Sequence, residues 1–455
     1  MMGYNMMNKI YRGLLMLACA AFMYACVPSS HLGVDIVFPG HTSPRDESTR
    51  EVNHEVRNVL LLYSAGYNSL SKYLTEDIQD LVSGELPGPG RMDDVLLIYS
   101  HLTSAYGAYN VPASPVLTRV YKDVEGEVVR DTLVVYPSET RSATALQLNE
   151  VLSYVKDNYP AKTYGMIFSS HATGYLPAGY YGDSKNYVYS PSVAMYCTGL
   201  GQAAPRGVPY VAPEHDPSLP MVKSVGQDQV GSYGYYTSYE MQIEEFAAAL
   251  PMYMDYILFD ACLMGGVEVA YELAGKVGKV GFSQTEVLAE GFDYKTLTSH
   301  LLYGGEPDPA AVCMDYYRQY DVQVGIMRSA TISLVDCAGM EPLAQVCAEL
   351  FEKYRDGIAR LNPSRVQRYY RGNYHWFYDL ADIVAEAGAG EDEMAALDEA
   401  LDGCIVYKAA TPDFMGSFSI DTYSGLSMYL PCDGGTELDK YYRTLKWNIA
   451  TGLVE

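Results

Sequence analysis

YILFDACLMGGVEVAYEL, residues 256–273, runs an apolar segment into Asp260, a lone Cys262, two glycines and a helix-like stretch. The apolar run does not alternate with polar residues, as expected of a strand covered on both faces. Gly265 and Gly266 allow a tight turn, and a helix is expected over 265–277. Strand, turn and helix in that order make the unit of a parallel α/β sheet, where chemistry sits outside the carboxyl ends of the strands. Asp260 and Cys262 stand at such an end. A helix N-terminus beside Cys262 would favour the thiolate. The alternative is a small buried core residue, since cysteine is among the most buried residue types.

The same pattern recurs outward from this stretch. Strands are expected at 58–65 (NVLLLYSA), 94–101 (DVLLIYSH), 163–170 (TYGMIFSS) and 279–284 (KVGFSQ). Helices are expected at 69–82 and 142–159, and a hairpin over 115–136 turns at Glu125-Gly126. Apolar strands joined by helical crossovers predict a mostly parallel sheet. Residues 175–237 are rich in Gly, Pro and Tyr and carry little periodicity, the mark of a long functional loop. Beyond residue 305 the pattern is helix-rich (308–320, 339–360, 391–403), with strands at 329–336 and 426–431. The expected organisation is a core over 58–304 and a C-terminal addition over 305–455.

The 455 residues carry 31 Lys and Arg against 56 Asp and Glu, a net charge of −25. That disfavours nucleic acid and anionic membranes as partners and favours basic ones. Residues 1–25 hold Lys9, Arg12 and an apolar run too short for a comfortable membrane span, which predicts an export signal. Because Ala25 directly precedes Cys26, Cys26 is the expected lipidated residue of a bacterial envelope lipoprotein, with 26–57 as its tether. Besides Cys26 and Cys19, the weaker alternative anchor in the same targeting region, seven cysteines remain, an odd number with no CxxC pair, which predicts at least one free thiol. HExxH, Walker and GxSxG motifs are absent.

A cysteine nucleophile needs a proton-transfer partner and oxyanion donors. Two of the eight histidines lie at strand ends, His101 and His171. His171 is followed by Ala172, Thr173 and Gly174, small residues that let a backbone N–H approach a carbonyl, whereas His101 is followed by Leu102. His171 is the better candidate on that pattern.

FDACLMGGVEVAYEL resembles the cysteine motif of the clostripain family of cysteine peptidases, and YGMIFSSHATGYLP its histidine strand. NVLLLYSAGYNSLSKYLTEDIQDL, GFSQTEVLAEGFDY and YSGLSMYLP resemble further segments of the family in order, leaving 175–237 least matched. The resemblance implies a caspase-like αβα sandwich, Cys262 as nucleophile and His171 as general acid/base. It implies an acidic S1 pocket for Arg or Lys, with Asp260 as one acid and Glu286 or Glu290 as the second. Ser283 and Gln284 are the expected pocket lining. The family's usual His-Gly is His171-Ala172 here, and its usual Trp is Tyr175. Alanine keeps the oxyanion N–H of residue 172 but restricts the backbone. Some members need calcium; the acid-rich chain permits it, although the sequence holds no ligand motif. The family often cuts itself after a basic residue beyond the histidine, which makes Lys185, Arg206 and Lys223 the expected sites. The implied activity is a lipid-anchored endopeptidase acting on proteins or peptides with basic residues; the competing reading is a binding lipoprotein that keeps the fold without turnover.

Overall fold

The computed structural model describes residues 56–104, 111–178, 180, 228–232, 235–303, 305–372 and 375–455. Cys26, Lys185, Arg206 and Lys223 lie outside the described residues. In chain order the described elements begin β1 (Val56–Gly66), α1 (Ser71–Ser83), β2 (Asp94–Ser104), β3 (Val116–Lys122), β4 (Val128–Val135) and α2 (Ala145–Asn158). The site-bearing region follows: β5 (Ala161–Ser169), α3 (Ile243–Ala249), β6 (Met254–Asp260), α4 (Val267–Leu273), β7 (Val277–Phe282) and α5 (Tyr294–Leu301). Then come α6 (Pro309–Asp321), β8 (Thr331–Asp336), α7 (Met340–Ala359), α8 (Leu380–Glu386), α9 (Glu391–Asp402) and β9 (Ile405–Ala410).

The main sheet runs β9-β8-β7-β6-β5-β1-β2-β3-β4, with the two-residue strand Val111–Pro112 added on β2. Its five central strands, β7-β6-β5-β1-β2, pair in parallel. Both flanks are antiparallel. Ile257, Leu258 and Phe259 are all buried although successive side chains point to opposite faces, so β6 is covered on both sides. Burying each such side chain contributes about 1.5–3 kcal/mol. The helices fall into two groups by their mutual packing. One holds α1, α5 and α6; the other holds α2, α3, α4, α7, α8 and α9. The result is a three-layer αβα sandwich.

The expected boundary at 304/305 does not divide this sheet. β8 and β9, from the expected addition, extend it antiparallel from β7, with Phe282 opposite Ser333 and Leu334 opposite Tyr407. All the described residues belong to one compact unit. The physical reason is that β7 would otherwise end the sheet with a buried, unpaired edge.

Candidate active site

Register brings the two candidate catalytic residues together. Ser169 and Asp260 are direct partners across the β5–β6 ladder, and His171 and Cys262 each follow two residues later. Both therefore leave the sheet at the same carboxyl edge, on adjacent strands. The two loops also touch: a Cβ on Gly174 would lie 2.4 Å from the Leu263 carbonyl oxygen. Gly174 sits at φ +59° besides, so only glycine fits without strain.

Beyond Cys262 the chain does not enter a helix at once. Leu263 N–H donates to the Thr285 carbonyl (2.9 Å) and Gly265 N–H to the Ser283 carbonyl (2.8 Å), so 263–265 continue pairing beside the end of β7. Ser427 N–H donates to the Gly265 carbonyl on the other side (2.9 Å). The helix starts only at Val267, which corrects the expected start at 265. A backbone N–H takes the place of the expected helix terminus: Val287 N–H donates to Cys262 Sγ at 3.1 Å. Cys262 is fully buried, and Leu263 beside it is held at φ +60°. A non-glycine residue in the left-handed region costs about 1–3 kcal/mol and persists where surrounding structure dictates it.

His171 is buried, with Nε2 3.2 Å from Ser69 Oγ, and Ala172 beside it is partly exposed. His101 has a different setting. Its ring stacks on Tyr67, Nδ1 lies 2.7 Å from Ser142 Oγ, and Tyr99 and Tyr63 bond the same serine. That is a closed network inside the core.

Asp260 is fully buried, and its Oδ2 accepts from Tyr294 OH (2.6 Å) and Ser169 Oγ (3.1 Å). The phenols of Tyr294, Tyr316 and Tyr320 are pushed well above their usual range, by burial first and then by neighbouring negative groups. Asp260 acts on all three, Asp77 on two, and Glu290 on Tyr320. Asp77, from α1, was not singled out in the sequence because a lone acid in an amphipathic helix reads as a solvated residue. Glu290 is exposed.

Three expected pocket residues are used inside the protein. Glu286 is 1% exposed and its carboxylate is held bidentately by Arg371, so it is not an open acid for substrate. Ser283 bonds Thr331 (2.9 Å), and the Gln284 amide donates to Ser333 (3.0 Å) and the Gly425 carbonyl (2.8 Å). Buried polar groups at the end of a central strand must find partners, and these find them in β8 and the 425 loop. Among the described residues no group of three or more His, Cys, Asp or Glu is placed to hold a metal ion. No described helix is long and apolar enough to cross a membrane.

The clostripain family model matches residues 62–191 and 212–451. No curated protein sequence matches the chain. Among solved structures, an inactive zymogen C11 protease from Parabacteroides distasonis is 25% identical, with a TM-score of 0.66 over 88% of this chain and 99% of that one. A secreted C11 cysteine protease from Bacteroides thetaiotaomicron is 21% identical, with a TM-score of 0.65 over 88% of this chain and 100% of that one. A secreted C11 cysteine protease from Bacteroides thetaiotaomicron in complex with an irreversible peptide inhibitor is likewise 21% identical, with a TM-score of 0.66 over 88% of this chain and 99% of that one. The sandwich is thus of the caspase-like kind seen in C11 proteases, and the chain belongs to the clostripain family of cysteine peptidases.

Proposed function

We propose that this peptidase cleaves proteins or peptides after arginine or lysine, with Cys262 as nucleophile and His171 as its proton-transfer partner. The observation that carries the reading is the Ser169–Asp260 register, which sends both residues off one sheet edge. His171 takes the thiol proton, and the sulfur attacks the peptide carbonyl carbon. The oxyanion is met by backbone N–H donors, Ala172 among them. The C–N bond breaks as His171 returns the proton to the leaving amine. Water then attacks the thioester, giving its proton to His171, and the thiol is released.

Asp260, with the exposed Glu290 near Tyr320, is the source of negative potential for a cationic P1 side chain. Buried Asp260 acts through field and through its bond to Tyr294. The chain is read as exported and anchored through a lipid on Cys26, and as self-cutting after Lys185 or Arg206. The likeness to a secreted C11 protease is consistent with export.

A fluorogenic library scanning P1 on wild type, Cys262→Ala and Asp260→Asn tests the reading. Wild type should prefer Arg and Lys, and Cys262→Ala should lose several orders of magnitude in rate. Asp260→Asn should lose more on basic than on neutral P1 residues, because it removes the negative field that a cationic side chain meets. Equal loss across all P1 residues would make Asp260 structural.

A further inference from the structure

Arg371 belongs to none of the motif segments, yet its guanidinium closes on Glu286, with Nε 2.7 Å from Oε2 and Nη2 3.2 Å from Oε1. Two N–H donors on one carboxylate fix orientation as well as distance. The arginine side chain is 27% exposed, and the glutamate 1%. A carboxylate that deep without a partner would be strongly destabilising, so the pair constrains the backbone carrying it. That backbone is the one around the thiol. Thr285, before Glu286, accepts the Leu263 N–H at 2.9 Å, and Val287, after it, donates to Cys262 Sγ at 3.1 Å.

Trp376 and Phe377 reach the histidine loop. The Trp376 carbonyl accepts the Tyr175 hydroxyl at 2.7 Å, and the Phe377 ring lies 5.4 Å from that of Tyr175. Tyr175 is four residues beyond His171. Trp376 itself has φ +40°, an unfavourable conformation for a bulky residue, retained where both its neighbours are fixed. Arg371 is thus tied to the strand end beside the thiol, and Trp376 and Phe377 to the loop beside the imidazole.

The geometry points to Arg371 as a positioning residue: through Glu286 it holds the Val287 N–H on Cys262 Sγ. The inference rests on the reading of Cys262 as the nucleophile. Arg371 touches neither reacting atom; it acts by holding rigid the shell that does.

The test compares Arg371→Lys and the double variant Arg371→Met/Glu286→Gln with wild type. The double variant removes both charges at similar volume and avoids the stranded carboxylate that could unfold Arg371→Ala. Steady-state kinetics on a short basic peptide are read beside iodoacetamide alkylation of Cys262 as a function of pH. In the double variant kcat should fall about tenfold or more while KM stays within about twofold. Alkylation at neutral pH should slow about tenfold, and its midpoint should move up, because the N–H that favours the thiolate is no longer held in place. Arg371→Lys, which keeps the charge but loses the fork, should fall between the two. A folded double variant with wild-type kcat and a wild-type alkylation profile would overturn the inference. So would a rise in KM alone, which would put the pair in contact with substrate. Alkylation reads the thiol with no peptide present, so a wrong P1 assignment leaves this arm intact. Undiminished turnover in Cys262→Ala would instead sink the nucleophile assignment on which the inference stands.

Discussion

At the scale of single residues, Ser69 is the most economical probe of the histidine. Its Oγ lies 3.2 Å from His171 Nε2, yet the serine is exposed. Its neighbours hold the turn without it: the Asn68 amide donates to the Ala65 carbonyl (3.1 Å), Asn68 Oδ1 accepts the Leu70 N–H (2.9 Å), and Ser170 bonds the same carbonyl (2.8 Å). Ser69→Ala should therefore leave the melting temperature almost unchanged and lower kcat by about three- to tenfold, with recovery in Ser69→Thr. His101→Ala should do the reverse, destabilising the fold because it empties a buried, hydrogen-bonded site. Equal kcat in Ser69→Ala and wild type from pH 6 to 8 would make the contact incidental. Cys262 and His171 were legible as candidates because each ends a strand and is followed by small residues. Arg371 was not legible. Its partner lies 85 positions away, and no local pattern in RYYRGNY distinguishes it from a surface cation.

At the scale of elements, α4 carries a titratable group deep in its first turn. Glu268 Oε1 accepts Tyr429 N–H (2.8 Å) and Tyr442 OH (2.7 Å), and burial pushes its carboxyl up from 4.5 to about 7. The folded protein then holds a proton that the unfolded chain has already released. The stability this proton represents is complete below pH 4.5 and is lost as pH rises through about 7. At about 1.4 kcal/mol per unit, the loss is on the order of 3 kcal/mol. Burial also raises Glu244 to about 7 and Glu245 to about 8, in the same direction. Glu268→Gln keeps an oxygen for both donors and cannot ionise, so its melting temperature should fall less than that of wild type between pH 5 and pH 8. Identical pH dependence in thermal melts would mean that Glu268 is charged in the fold or does not titrate there. Element ends were the harder reading. The expected helix 265–277 starts at Val267 because the Gly265 N–H and carbonyl are taken by Ser283 and Ser427, and it stops at Leu273, ahead of Gly275 at φ +83° and the start of β7 at Val277. The expected strand at 426–431 keeps only Ser427–Met428, paired with Tyr378–Asp379. The hairpin turn, in contrast, was visible because Gly126 supplies a φ of +87°.

At the scale of the molecule, the parallel sheet was readable because short apolar runs alternate along the chain with segments of helical period. The sequence places β8 and β9 in an addition packed on the core because antiparallel flanks follow no local rule about where they dock, and IVYKAA in β9 is a short run that ends half-buried or exposed throughout. The assembled sheet presents Cys262 and His171 at one edge of a chain with net charge −25. Six cysteines among the described residues are free thiols, and Cys262 is one of five that are buried. Burial pushes the thiols of Cys313, Cys337, Cys347 and Cys404 up, to about 12 for Cys337 and Cys404, which leaves them poor nucleophiles at neutral pH. The most direct measurement is therefore the position of a covalent label. The full chain is treated with a peptidyl acyloxymethyl ketone ending in lysine or arginine and mapped by mass spectrometry. A single adduct on Cys262 is expected, formed much more slowly by the same reagent ending in a neutral residue, and absent in His171→Ala over the same time. An adduct on any other cysteine, or on Cys262 at equal rates for basic and neutral reagents, would overturn the assignment of Cys262 as the nucleophile of a basic-specific peptidase.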